Sequence, residues 1–93
     1  MPAYLVVNAT VTDMPRFKQY ADRALPLIES FGGRRIALSR PTVLEGDAGW
    51  KGSAIYQWDS AEAARAFWHS DAYAALRTLR AGAAELEAIL IEG

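Results

Sequence analysis

Twice in 93 residues an alternating, strand-like pattern gives way to a helical one and then returns. That order constrains the fold more than any single motif does. From Tyr4 to Thr12, Leu5, Val7, Ala9 and Val11 share one face while Tyr4, Val6, Asn8 and Thr10 share the other, which is the two-residue period of a strand. Asp13 then offers an N-cap with Pro15 in the first turn, and Met14, Phe17, Ala21, Ala24, Ile28 and Phe31 recur at helical spacing. Pro26 falls near the polar side of this helix, so it leaves the buried stripe intact. Gly32-Gly33 ends the helix, because glycine readily takes the left-handed conformation that closes one.

Arg34 to Ser39 and Thr42 to Glu45 read as strand segments interrupted by Arg40-Pro41, and Gly46-Asp47-Ala48-Gly49 reads as a turn before a strand at Ser53 to Trp58. Ser60 caps a second helix with Ala63, Ala64, Phe67 and Trp68. Ser70 caps a further helical segment with Tyr73, Leu76, Leu79 and Ala83, so a bend is expected there. Glu85 to Glu92 alternates again, with Leu86, Ala88 and Leu90 opposite Glu87, Ile89 and Ile91. The order is βαββαβ. Right-handed crossovers place both helices on one face of an antiparallel sheet, giving a single α+β domain over residues 1–93 with a ferredoxin-like sandwich. The other sheet face carries Tyr4 and Val6 uncovered, which predicts a homodimer through the sheet.

Composition narrows the function classes. A formal net charge of -1 with scattered basic residues argues against nucleic acid, and the helices lack the basic polar faces of a membrane-surface protein. Apolar runs fall short of the ~20 residues that span a bilayer. There is no cysteine, so disulfides and thiolate chemistry are excluded, and Met1-Pro2-Ala3-Tyr4 lacks a basic n-region, so a cytoplasmic protein is expected. Asn8-Ala9-Thr10 matches the glycosylation pattern by chance inside a strand. One histidine without cysteine makes a poor metal shell, so neither metal nor cofactor is expected.

Tyr4-Leu5-Val6-Val7, Tyr20, Phe31-Gly32-Gly33, Val43-Leu44-Glu45-Gly46, Trp58-Asp59-Ser60, Ala63 to Trp68, Ser70 to Tyr73, Leu79-Arg80 and Glu92-Gly93 together resemble the domain of unknown function family 1330 over essentially the whole chain. The resemblance implies a dimeric α/β barrel, in which two ferredoxin-like sheets pack face to face. It implies no reaction. Two positions depart from the family pattern: Gln57 stands where an acidic residue is usual, which removes a carboxylate base, and Ala72 replaces the usual proline before Tyr73.

The densest chemistry lies between Phe67 and Arg80. Tyr73, Arg77 and Arg80 fall within ~60° of one another on a helix, where arginine forks and a phenol could hold an anion. The bland alternative is a solvated flank pairing with nearby carboxylates. His69 is the one side chain with an ordinary pKa near neutrality, so acid or base catalysis would fall first to it and then to Tyr73; a surface histidine beside a helix cap is the alternative. Asn8, polar in an apolar strand, looks with Trp68 similar to the pair used by related barrels that oxygenate small aromatics or degrade haem. The alternative is an asparagine satisfied locally and a tryptophan filling the core. Pro2 would be an amine base only after loss of Met1, and reads more simply as the start of a strand.

The preferred function is binding of a small organic molecule, an anion being the case that the arginines would suit, in a cleft between sheet and helices by Asn8, Trp68, Arg77 and Arg80. A cofactor-independent monooxygenase or isomerase is the enzymatic alternative. It predicts that Asn8, Trp68, His69, Tyr73 and Arg80 converge on one cavity. A non-catalytic binding or assembly module is the third reading.

Overall fold

A computed structural model describes residues 1–47 and 49–93. Seven elements follow in order: β1 (Ala3–Val11), α1 (Met14–Ser30), β2 (Arg34–Ser39), β3 (Gly52–Trp58), α2 (Ala61–Trp68), α3 (Asp71–Arg80) and β4 (Ala84–Glu92). The βαββαβ order therefore holds, with the second helical crossover split in two. The strands form one antiparallel sheet in the order β2-β3-β1-β4, with β1 paired to β3 on one side and β4 on the other. That is the ferredoxin-like arrangement.

Helix ends are set by the side chains that the sequence offers. Asp13 Oδ1 accepts from the Arg16 N–H at 3.2 Å, and Ser60 Oγ accepts from the Ala63 N–H at 3.2 Å. Ser70 makes the bend: its Oγ donates to the Phe67 carbonyl at 2.7 Å and accepts from the Tyr73 N–H at 3.1 Å, ending α2 and starting α3 with one side chain. Gly32, at φ 92°, closes α1 while the Gly33 N–H donates to the Ile28 carbonyl at 3.0 Å.

The buried stripe of α1 is Tyr20, Ala24 and Ile28, with Phe17 packed against it, whereas Met14 and Ala21 are exposed. Phe17, Ala24, Ile28 and Phe31 of the expected stripe thus face the core, Met14 and Ala21 lie at its open margin, and Tyr20 widens it on the other side. With Leu5, Trp58, Ala64, Phe67 and Tyr73 these residues form the core on one sheet face. Its aromatic members are stacked in series: Trp58 lies 5.4 Å from Phe67 between ring centroids, Phe67 4.4 Å from Tyr73, and Tyr73 6.3 Å from Tyr20.

A strand was expected at Thr42 to Glu45, and none forms; β2 stops at Ser39. Pro41 cannot donate to a ladder and biases the residue before it, so pairing ends there. The turn expected at Gly46 to Gly49 includes Ala48, which lies outside the described residues. Strand β2 is an edge, and it carries a bulge: Arg35 pairs with Tyr56 and Ala37 with Ile55, which leaves Ile36 extra.

Val6 pairs with Ile55 on one side and Ile89 on the other, and Tyr4 sits beside Ile91, so the helix-free face has an apolar end. Ile89 and Ile91 are each 48% exposed. Among the described residues no helix is long and apolar enough to cross a membrane.

Candidate functional site

Between α1 and the helix-facing side of the sheet lies a cavity of about 500 Å³, within the range of small-molecule sites. Alternation along β1 turns Leu5, Val7, Ala9 and Val11 towards it. α1 supplies Phe17, Tyr20, Ala24 and Ile28, and the α2–α3 bend supplies Phe67, Trp68 and Tyr73. These walls are apolar. The polar groups fall into two sets.

The first set is a pair of phenols. Tyr20 and Tyr73 are both buried, and their hydroxyl oxygens are 2.7 Å apart. Burial pushes the Tyr20 phenol well above its ordinary value, its neighbour Tyr73 adds to the rise, and the Arg80 guanidinium opposes it. Tyr56, also in the wall, is raised by burial against the opposing charge of Arg35. Tyr20 and Tyr56 therefore stay protonated at neutral pH, where they can donate hydrogen bonds.

The second set is cationic. Lys18, Arg35 and Lys51 line the cavity, and no carboxylate does among the described residues. Lys18 is held by Asp22 at 2.9 Å, while Arg35 and Lys51 have no ion-pair partner among the described residues. The cavity therefore offers uncompensated positive charge. Among those residues no cluster of three or more histidines and carboxylates is placed to hold a metal.

Of the residues expected at a site, Trp68 and Tyr73 are in this wall. The others are elsewhere. Tyr73 itself was expected on a polar helix flank, but it is 2% exposed and packed in the core, because the helix presents that side to α1 and α2. Arg77 and Arg80 lie behind the aromatic wall and do not line the cavity. Arg77 donates to the Trp68 carbonyl at 2.7 Å and sits 4.5 Å from the Trp68 ring centroid and 4.9 Å from that of Tyr73. Arg80 sits 5.5 Å from the Tyr20 ring centroid. Both guanidiniums thus lie over ring faces on half-buried side chains, and neither is paired with a carboxylate among the described residues. Each keeps a buried Nε without a partner.

His69 is the exposed C-cap of α2 and lines a separate, smaller pocket of about 230 Å³, on whose wall Trp68 also stands. Asn8 alternates to the helix-free sheet face, where its Oδ1 accepts from the Ser53 hydroxyl at 2.6 Å. Convergence of Asn8, His69 and Tyr73 on one cavity therefore does not occur: the sheet stands between Asn8 and Tyr73. The residues not anticipated are Tyr20, Tyr56, Arg35 and Lys51. Tyr20 had a usable signal, a phenol three residues from Phe17 and four from Ala24 on one helical face.

A family model described as Domain of unknown function (DUF1330) matches residues 2–93. No curated protein matches the sequence. Among solved structures, the RPA0582 protein of unknown function from Rhodopseudomonas palustris is similar at TM-score 0.80 and 18% identity, over 99% of this chain and 82% of that one. SnoaB, a cofactor-independent oxygenase from Streptomyces nogalater, is similar at TM-score 0.72 and 15% identity, over 99% and 92%. A dimeric ferredoxin-like protein of unknown function from Jannaschia sp. CCS1 is similar at TM-score 0.66 and 7% identity, over the whole of both chains. At these identities the likeness is one of fold.

Proposed function

We propose that this chain, which belongs to the DUF1330 family, binds a small, largely apolar organic anion in the cavity between α1 and the sheet. The observation that carries the reading is the composition of the lining: apolar walls, with Arg35 and Lys51 and no carboxylate among the described residues. Apolar surface supplies affinity, and a cation without a counter-charge selects an anionic group. The protein works as a homodimer through the helix-free face, where Val6, Ile55, Ile89 and Ile91 leave an apolar strip that a second copy would cover. Two ferredoxin-like relatives in fold are described as dimeric, which supports this.

The test uses two dyes of similar shape, anionic 8-anilinonaphthalene-1-sulfonate and neutral N-phenyl-1-naphthylamine, followed by fluorescence. Both bind the wild type, and Arg35→Ala with Lys51→Ala weakens only the anion. Exposed charge pairs are worth about 0.2–1 kcal/mol each, so roughly two- to thirtyfold is expected for the two together, less at high salt. Equal weakening of both dyes, or no weakening of the anion, refutes the charge argument.

A second reading makes the same cavity an active site that needs no cofactor. What favours it is the Tyr20–Tyr73 hydroxyl pair beside Trp68 in the wall of the cavity, on a fold shared with SnoaB. Oxygen uptake with a hydroxynaphthalene, abolished by Tyr20→Phe with Tyr73→Phe, supports it. Uptake unchanged in that variant, or none in the wild type, leaves the cavity as a binding site.

A further inference from the structure

We propose that the Tyr20–Tyr73 hydroxyl pair is a recognition element that donates one hydrogen bond into the cavity, so that the bound molecule carries an oxygen acceptor, a carbonyl or a phenolate, on its buried part. The inference rests on the cavity being a ligand site, as above, and adds to its anion preference a second polar requirement.

The argument is one of proton counting. Two phenols bring two protons, and the contact between their oxygens, at 2.7 Å, uses one of them. The second has no acceptor: among the described residues the one other group at these hydroxyls is the Arg80 guanidinium beside Tyr20, which can only donate. Both rings are buried, and both line the cavity. A buried donor facing apolar walls demands an acceptor, and the open side is the cavity.

The surroundings set the direction in which the pair donates. Arg80 lies behind Tyr20, 5.5 Å from its ring centroid, and can only donate. A guanidinium on that side favours lone pairs turned towards it, which sends the Tyr20 proton to Tyr73 and leaves the Tyr73 proton free. Arg77, 4.9 Å from the Tyr73 ring centroid, further favours negative charge arriving near this phenol. Phe67, 4.4 Å from Tyr73, holds its ring from the other direction. The pair is therefore a preset donor in a water-poor wall, a setting where hydrogen bonds to an ionised acceptor are strongest.

The probe is 4-nitrophenol, which is coloured only as the anion, so absorbance reports its ionisation when bound. Wild type binds the phenolate, and Tyr20→Phe with Tyr73→Phe weakens it about tenfold or more, with N-phenyl-1-naphthylamine affinity preserved. Each single Phe variant keeps one hydroxyl whose proton is freed by loss of its partner, so each single loss is smaller than half of the double loss on a logarithmic scale. A purely structural role for the pair gives no such pattern: it weakens the neutral dye as well, or makes each single loss equal to the double. Either result overturns the proposal, as does unchanged phenolate binding in the double variant. If wild type binds the neutral dye and not 4-nitrophenolate, the recognition element is refuted and the cavity reading stands; if it binds neither, both fall. Should the double variant not fold, wild type decides the matter with neutral ligands that the cations do not select. It must bind 1-acetonaphthone, which carries a carbonyl acceptor, more tightly than 1-isopropenylnaphthalene of like shape, measured by displacement of N-phenyl-1-naphthylamine, and equal or weaker binding overturns the proposal.

Discussion

Replacing Gly33 with alanine tests whether the aromatic series that backs the cavity is packed without slack. A Cβ at Gly33 would lie 2.7 Å from Ile28 Cγ2 and 2.8 and 2.9 Å from Cη2 and Cζ2 of Trp58. Carbon atoms rest about 3.5–4.0 Å apart, so the neighbours must give by roughly 1 Å. They have little room. Trp58 is 1% exposed and is backed by Phe67, which is backed in turn by Tyr73. Overpacking of this kind costs about 1–3 kcal/mol, and a loss of about 2 kcal/mol lowers the Tm of a domain this size by roughly 8–16 °C. Gly32→Ala is the control, since nothing lies within 4 Å of its Cβ but its φ is +92°. It costs about 1–2 kcal/mol through backbone strain alone. Urea unfolding at fixed protein concentration separates the two causes in a double-mutant cycle with Trp58→Phe. The smaller ring lacks the clashing atoms, so Gly33→Ala costs less in that background while Gly32→Ala costs the same. If the Gly33→Ala cost agrees in both backgrounds within about 0.5 kcal/mol, the packing argument is wrong.

Alkaline titration gives a second test. Burial raises the phenols of Tyr20 and Tyr56 above their ordinary value of 10.0, so folding favours their neutral forms; the stability is whole below that value and lost as pH rises through the folded value. Tyrosinate absorbance from these two of the four tyrosines should therefore appear together with loss of the circular-dichroism signal, and full ionisation of an intact fold would contradict it. Ile89→Asp, on the exposed apolar strip, should sediment as a monomer with helical content unchanged, whereas a wild type that is monomeric at every concentration would dispose of the dimer. His69→Ala should alter anionic-dye affinity by no more than about twofold, because His69 is exposed and lines a different pocket; a larger loss would move the site.

Strand and helix order were legible in the sequence because each element has one buried side and local signals at its ends. Asp13, Ser60 and Ser70 cap the helices as their positions suggest, and Gly32 closes α1 with a positive φ. The candidate site was less legible, since it depends on which residues meet across the fold. Tyr20 and Tyr73 are 53 residues apart, and helical spacing assigns each to a face without saying that the faces oppose one another. Spacing also misjudged Tyr73, because a phenol, two arginines and a helix face look polar until an aromatic core is placed against them. Arg77 and Arg80 then prove to lie on the ring faces behind the wall.

Strand β2 makes the same point more sharply. A strict two-residue period would turn Arg35 and Ala37 to one side and put Leu38 on the other. The bulge at Ile36 breaks that period, so Arg35 and Leu38, three residues apart, both reach the cavity. The bulge thus sets a cation and an apolar side chain on the same wall, facing the phenols of β3 and α1. An anionic, partly apolar ligand would need such a wall. A one-residue deletion at Ile36 would remove the extra residue and leave Arg35 opposite Tyr56 and Leu38 opposite Ala54, on the same face as before. It should therefore preserve the preference for the anionic dye. Loss of that preference would show that pairing with β3 does not by itself hold Arg35 at the site.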